Sequence, residues 1–289
     1  MISKTTPVPH LALTLASSEL GFNVHTGFLD ALTHEVGISP GHLGAVSSGS
    51  YVGGLYASGF ETQEIRGILS SKEMIKSVIE LKSPLRGVGM LFNLSGFSGI
   101  ISGRNFASHL KKYLGGRCIE DCKQPKLSLA VTNLTKGCHE IVTKGPLCDF
   151  IVASCSVPGL FKCQKIGRYE YCDGAVCDSA PFYHFLEDPN IQRILVHIVR
   201  HTDRYTEDPR PASVASVFGK SHQIITDRFM DLTLECAQSK GKKVTIITTI
   251  VPRFRWGQRG SHEILFQSGR QSVLKNLDQI YEAISSAKH

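Results

Sequence analysis

Apolar positions along this chain fall into two alternating kinds of run. Short apolar stretches at Leu11–Leu15, His42–Val46, Leu127–Val131, Ile194–Val199 and Val244–Ile250 read as strands. Cys138–Thr143 and Tyr169–Cys172 read the same way, and an Asn133–Gly137 turn precedes the first of these two. Helical spacing lies between them. In Gly21–Val36, residues Phe22, Leu29, Leu32 and Val36 recur near the helical period, and a Gly37–Pro40 turn follows. Ser47–Gly59 is small and apolar, which predicts a buried helix. Glu61–Leu69 is a helix with a polar start, and Asn105–Leu114 is amphipathic. Asp149–Ser156 is a helix stopped by Pro158. Val214–Ser239 and Leu265–Ala287 are long helices. Ser83–Gly103, rich in Gly, Phe, Leu and Ser, reads as an exposed loop. Strands alternating with helices predict an α/β sheet. There is no repeat, low-complexity tract or linker, so residues 1–289 are expected to form one domain.

Composition narrows the classes without choosing among enzymes. Hydrophobic residues make up 42% and charged residues 20%, which excludes a disordered chain, a collagen-like repeat and a coiled coil. No run of about 18 apolar residues occurs, so no transmembrane helix is expected. The apolar stretch at Leu11–Ala16 is too short for a signal peptide. A net charge of +7 fits attraction to anionic lipid or to nucleic acid. The nine cysteines include no CxxC pair and no Cys/His quartet at zinc spacing. Reduced thiols in a cytoplasmic setting are the expectation.

The most informative segment is HLGAVSSGSYVGGLYASG, residues 42–59. A β-like run enters a tight turn and leaves as a helix of small residues, the layout of a nucleophile elbow. With Gly49 closing a G-x-S-x-G pattern, the serine is Ser47 and the first position is Ala45. Small residues are needed on both sides because the turn is sharp. A helix N-terminus just after Ser47 favours developing negative charge. Ser48 and Ser50 are rival serines, but neither has Gly or Ala two residues away on both sides. A plain Gly/Ser turn before a core helix is the bland alternative.

A serine hydroxyl needs a base. The segment YEYCDGAVCDSAP, residues 169–181, runs a strand into Asp173, and Gly174–Ala175 turns sharply enough to present the carboxylate to a cleft. Asp178 and Pro181 follow in a second turn. An ordinary Asp-Gly turn is the alternative.

Four segments in order carry a family resemblance. AVSSG at 45–49, continued by LYASG at 55–59, resembles the GTSAG-type elbow of patatin-like phospholipases. AVTNLTKG at 130–137 resembles the strand and turn before their middle. ASCSVPGLF at 153–161 resembles their A-S-x-A-x-P-x-x-F stretch. DGAVCDSAP at 173–181 resembles their DGG/DGA motif with its trailing D-N-x-P. The resemblance spans roughly residues 10–200. It implies a three-layer α/β/α sandwich with a largely parallel central sheet and the site at the carboxyl ends of the strands. It also implies Ser47 as nucleophile and Asp173 as base, with Gly174 positioning Asp173 and Pro158 shaping the wall. No metal or organic cofactor is implied. The implied partner is a lipid substrate at a peripheral membrane or lipid-droplet surface, not nucleic acid.

One family feature is altered. A GGGxRG-type loop after the first strand ordinarily holds the oxyanion with backbone N–H groups. Here the stretch is ASSELG, residues 16–21, where only Gly21 survives and Leu20 stands at the arginine position. Ser17 and Ser18, with Gly21, are the expected oxyanion donors, through N–H groups or hydroxyls. Glu19 suits a developing anion only if it points away.

Other groups compete. His184, His197, His201, His222 and His262 all follow Asp173, so their order allows a Ser-His-Asp triad. The elbow comes after only two strands, which is early for an α/β-hydrolase. Arg253, Arg255, Trp256 and Arg259 form a basic-aromatic patch that suits a solvated or membrane-facing loop better than nucleic acid. Apolar residues of Leu85–Ile101 are either core or a lid over an acyl chain. The expected function is a lipid acyl hydrolase acting on phospholipid or acylglycerol esters through a Ser47 acyl-enzyme. A catalytically weak lipid- or protein-binding member of the same fold is the alternative. With its carboxyl near the ordinary value of about 4, Asp173 would be a weak base toward serine.

Overall fold

Strand β1 (Thr6–Leu15) shows why the sheet is a middle layer. Leu11, Leu13 and Leu15 enter one core, while Ala12 and the adjoining Ala16 enter another. Alternate side chains point to opposite faces, so two apolar sets mean that both faces are covered. The structure, a computed structural model, describes residues 5–19, 21–78, 89, 94, 98–202, 213–254, 258 and 260–285.

Chain order after β1 is α1 (Phe22–His34), β2 (Ile38–Ala45), α2 (Ser48–Ala57), α3 (Thr62–Leu69) and α4 (Lys72–Ser77). Next come β3 (Gly99–Ile101), α5 (Arg104–Leu114), β4 (Lys126–Asn133), β5 (Cys138–Val142) and α6 (Leu147–Ser154). Three short strands follow, β6 (Gly159–Phe161), β7 (Gln164–Ile166) and β8 (Tyr169–Asp173), then α7 (Tyr183–Leu186) and β9 (Arg193–His201). The described chain ends with α8 (Val214–Ser239), β10 (Lys243–Val251), α9 (Ser261–Lys275) and α10 (Leu277–Ile284). Eight strands form the main sheet in the order β10-β9-β1-β2-β4-β8-β7, with β5 also on β4. The run from β10 to β4 is parallel; β5, β7 and β8 join antiparallel. Helices flank the sheet on both faces, the α/β architecture expected.

The registers on β4 place the site. Leu129 pairs with both Ala45 of β2 and Val142 of β5, so β2 and β5 lie on opposite edges of β4. Val131 pairs with Asp173 of β8 as well as Glu140 of β5, so β8 shares the edge with β2. Strands β2 and β8 run in opposite directions along that edge. Their carboxyl ends therefore meet, with Ala45 opposite Leu129 and Asp173 opposite Val131.

Three expected elements differ. Strand β2 starts at Ile38, inside the expected Gly37–Pro40 turn. Proline lacks an N–H, and it is tolerated here because the β1–β2 register shifts between Val8 and Ala12, beside Pro40. The expected Leu265–Ala287 helix is two helices, starting at Ser261 and broken at Asn276. The Asn276 side chain donates to Ser272 O at 2.7 Å, competing with the helix ladder. The expected loop at 83–103 includes the short β3, and its residues 83–88, 90–93 and 95–97 lie outside the described residues.

Helices α1 and α9 cross at glycines. A Cβ on Gly27 would run into the Phe266 carbonyl, and one on Gly269 into the Val24 carbonyl. Either Gly27→Ala or Gly269→Ala should lower unfolding free energy by about 1–3 kcal/mol through overpacking. The double variant should cost less than the sum, because one separation of the helices relieves both clashes. Denaturant midpoints of the three variants at constant slope check this.

Candidate active site

Ser47 sits between β2 and α2 with φ 52° and ψ −123°. It is the only non-glycine at positive φ among the described residues. Such a backbone costs about 1–3 kcal/mol and persists only where the surroundings over-determine it. The Ser47 N–H donates to Ser154 Oγ at 2.9 Å, and Ser154 Oγ donates to Ala130 O on β4 at 2.8 Å. The Ser47 carbonyl accepts from Ser50 N at 2.9 Å, Ser50 Oγ at 2.6 Å and Cys155 Sγ at 3.0 Å. Small residues make room. A Cβ on Gly49 would strike the Leu15 carbonyl, and one on Gly53 would come to 3.2 Å of the Ala45 Cβ. Glycine is thus required at 49, and Ala45 fills its space without crowding α2.

Asp173 ends β8 and is held at both backbone ends. Its N–H donates to Ser156 O at 2.9 Å, and its carbonyl accepts from Thr132 Oγ1 at 2.9 Å. Oδ1 accepts from Ala175 N at 2.8 Å, and Oδ2 accepts from Ser47 Oγ at 2.7 Å. Gly174 leaves no room for a side chain, since its Cβ would meet the Ala130 carbonyl. Ser47 is half-buried, and Asp173 is only 2% exposed. Burial pushes the Asp173 carboxyl up to about 7, against the lowering effect of the hydrogen bonds from Ala175 and Ser47. The group is therefore a stronger base than the ordinary carboxylate expected from sequence.

The 16–21 loop differs from expectation. Ser17 N–H donates to Ser179 O at 2.8 Å, and Ser18 N–H donates to Ser48 Oγ at 3.1 Å. The Ser18 hydroxyl donates to Glu19 O at 3.3 Å. The Ser17 and Ser18 N–H groups are thus committed within the fold, where an oxyanion role was expected of them. Both brace the loop. Gly21 lies under Ser18, whose Cβ would be 2.6 Å from a Cβ at 21. Glu19 pairs with Arg253 at 3.5 Å, and its carbonyl accepts from His201 Nε2 at 3.1 Å. Leu20 lies outside the described residues.

Each triad histidine has another partner. His184 bonds Ser128, His197 bonds His25 and Thr249, His222 bonds the Val176 carbonyl and His262 bonds Asn23. The hydroxyl of Ser47 points to Asp173, not to an imidazole. Of the basic-aromatic patch, Arg255, Trp256 and Arg259 lie outside the described residues, as do Leu85, Met90, Leu91, Phe92 and Phe97 of the suggested lid.

A sequence model of the family described as "Patatin-like phospholipase" matches residues 22–186, more than half of the chain. The chain belongs to the patatin-like phospholipase family. It is similar to neuropathy target esterase sws of Drosophila grimshawi and of Drosophila melanogaster. Each is 29% identical over 161 residues, covering 54% of this chain and 10% of the relative. The chain thus spans about a tenth of the length of the curated relatives it matches. Among solved structures it is similar in fold to VipD from Legionella pneumophila, with TM-score 0.53 and 12% identity. That likeness covers 95% of this chain and 67% of VipD.

Within this patatin-like chain, sequence reasoning missed the braces. Ser154 and Cys155 hold the elbow, and Ser156 holds Asp173. All three lie in the ASCS run that carries the family resemblance, so the signal was visible but its physical role was not. Ser48 and Ser50, rivals of Ser47 on paper, serve to anchor the loop and the elbow.

The buried carboxyl gives a signed stability effect. Its folded value of about 7 lies above the unfolded value, so the folded state holds a proton that the unfolded state has lost across that window. Stability contributed by this group therefore falls as pH rises from about 4 through about 7. The full gap is on the order of 4 kcal/mol. Asp173→Asn should be more stable than the parent at pH 8, with the difference shrinking toward pH 5. Unfolding free energies of both proteins across that range measure it.

Proposed function

We propose that this chain is a lipid acyl hydrolase that cleaves carboxylic esters of phospholipids or acylglycerols through a Ser47 acyl-enzyme. The observation that supports this reading is the 2.7 Å hydrogen bond from Ser47 Oγ to the buried Asp173 carboxylate, at a strained elbow in a patatin-family chain. Asp173 Oδ2 takes the Ser47 proton as Oγ attacks the acyl carbonyl carbon. The carbonyl electrons move to oxygen and then re-form the C=O bond as the alcohol leaves, carrying the proton from Asp173. Water then gives a proton to Asp173 and attacks the acyl-enzyme. Fatty acid departs and Ser47 recovers its proton.

A carboxylate does this work when the site is dry and the transition-state charge is held. The N-terminus of α2, beginning with the Ser48 N–H, lies next to Ser47 and supplies a positive helix end. With the Ser17 and Ser18 N–H groups occupied, the oxyanion falls to that helix end. The Glu19 carboxylate, drawn to Arg253, is engaged elsewhere. The same occupied donors favour the second reading, a catalytically weak lipid-binding member of the family.

Labelling with an alkyl fluorophosphonate separates the two. A label on Ser47, lost in Ser47→Ala, supports the hydrolase; an unlabelled, folded protein supports the binding module. Hydrolysis should rise with pH through about 7 and then level, because Asp173 must be ionised to accept the proton. Asp173→Asn should lower turnover by on the order of 10²–10⁴ and remove that pH step. Single Gln replacements of His184, His197, His201, His222 and His262 should leave turnover within a fewfold. An essential histidine in a folded variant would replace the Ser-Asp mechanism with a triad.

A further inference from the structure

A cavity of about 370 Å³ opens at the amino-terminal end of β4, away from Ser47. Strand register builds its floor. His42 pairs with Lys126, and Gly44 with Ser128, across β2 and β4. Paired residues of neighbouring strands share a face, as do residues two apart along one strand. His42, Lys126 and Ser128 therefore point the same way, toward α7, whose Phe185 ring rests on Gly44. Ser128 Oγ and His184 Nε2 of α7 form a 2.9 Å hydrogen bond that closes the floor. His42 lies five residues before Ser47, and Ser128 three before Val131, the partner of Asp173. At about 3.3 Å per residue, the cavity is roughly 10–16 Å upstream of the candidate active site. Its volume suits a small ligand.

The charges around it are not balanced by the fold. Lys123, Lys126 and Lys144 line the cavity and are exposed. None of the three makes an ion pair or a side-chain hydrogen bond among the described residues. Two carboxylates line it as well, Glu120 and Asp188, and each is already engaged. Glu120 Oε2 accepts the Gly145 N–H at 2.7 Å. Asp188 Oδ1 accepts from Asn190 N at 2.9 Å and from Asn190 Nδ2 at 3.0 Å. Lys242, whose ammonium donates to the Asp188 carbonyl at 2.8 Å, sets a further positive charge beside that residue. The ammonium groups thus outweigh the carboxylates. The imidazoles sense the same surplus. Burial and then Lys126 lower His42, while burial and the nearby His139 and His42 push His184 down to about 4. Both rings are therefore neutral near pH 7, and a neutral ring still carries one N–H donor. Several lysine point charges above a hydroxyl floor suit a multiply charged phosphate group better than a single carboxylate.

We infer that this cavity binds a phosphate group, with Lys123, Lys126 and Lys144 supplying charge and Ser128, braced by His184, supplying the hydroxyl at the floor. Two sources carry that group, soluble phosphate and a phosphomonoester lipid headgroup. Ser47→Ala protein is titrated with inorganic phosphate by calorimetry at constant ionic strength. It is also floated with phosphatidylcholine vesicles containing phosphatidic acid. Thermal melts verify the folding of every variant. Lys126→Ala plus Lys144→Ala should weaken binding of the responding probe by at least about tenfold. Ser128→Ala should weaken it by about threefold or more. Lys112→Ala plus Lys275→Ala, an equal loss of charge at exposed positions on α5 and α9, should leave it within about twofold. Weakened binding of inorganic phosphate supports the soluble source, and a loss seen only with vesicles supports the lipid source. The inference is overturned if neither probe binds, if either folded cavity variant binds as the parent does, or if the α5–α9 control loses as much. Turnover is not read in any of these measurements, so the hydrolase reading stands or falls separately.

Discussion

Ser47 is held where an L-amino acid resists going, and much of the fold around it serves to keep it there. Its left-handed backbone would relax if its N–H and carbonyl were free to turn. Instead Ser154 ties the N–H to β4, while Ser50 and Cys155 cap the carbonyl. Glycine at 49 lets α2 leave the turn across the end of β1. Burial of Asp173 completes the arrangement. A carboxyl in water titrates near 4, whereas this one, shielded by the sheet ends, is raised to about 7 and still accepts the serine hydrogen bond. Strain on one residue and desolvation of the other are both destabilising, and the packing of β1, β2, β4 and β8 offsets them.

Much of this was legible in the residues. The elbow showed itself through Ala45, Ser47 and Gly49 because sharp turns admit few side chains. Asp173 showed itself because Gly174 cannot be replaced where β4 passes so close. Strands and helices followed from periodicity where one face was consistently apolar. What stayed hidden depended on partners far away in sequence. No local pattern says that the Ser17 N–H is taken by Ser179, or that a carboxylate will lose its water. The start of β2 was hidden by Pro40, which reads as a turn until a register shift excuses its missing N–H. The break at Asn276 was hidden because apolar spacing continues through it.

Two of the twelve histidines have a structural use that the sequence does not reveal. His25 and His197 are wholly buried, bonded to one another at 2.9 Å, and desolvation drives both toward the neutral form, His25 to about 4. His25 Nε2 donates to the Ala16 carbonyl at 2.8 Å, just where the 16–21 loop begins. These imidazoles act as rigid polar packing beneath that loop. Chain order alone could not distinguish the packing role of His197, inside β9, from catalysis.

The crossing of α1 with α9 has a consequence for dissecting this family. The family match, residues 22–186, contains Ser47 and Asp173 but omits β1, β9, β10 and α9. A fragment cut to those bounds would leave the β2 edge bare and strip Gly27 of the helix that fits against it. Exposed β-edges invite pairing between chains. Such a piece would carry both Ser47 and Asp173 and still tend to aggregate. The matched span thus contains the Ser47–Asp173 hydrogen bond, while the smallest unit able to hold that geometry extends well past it on both sides.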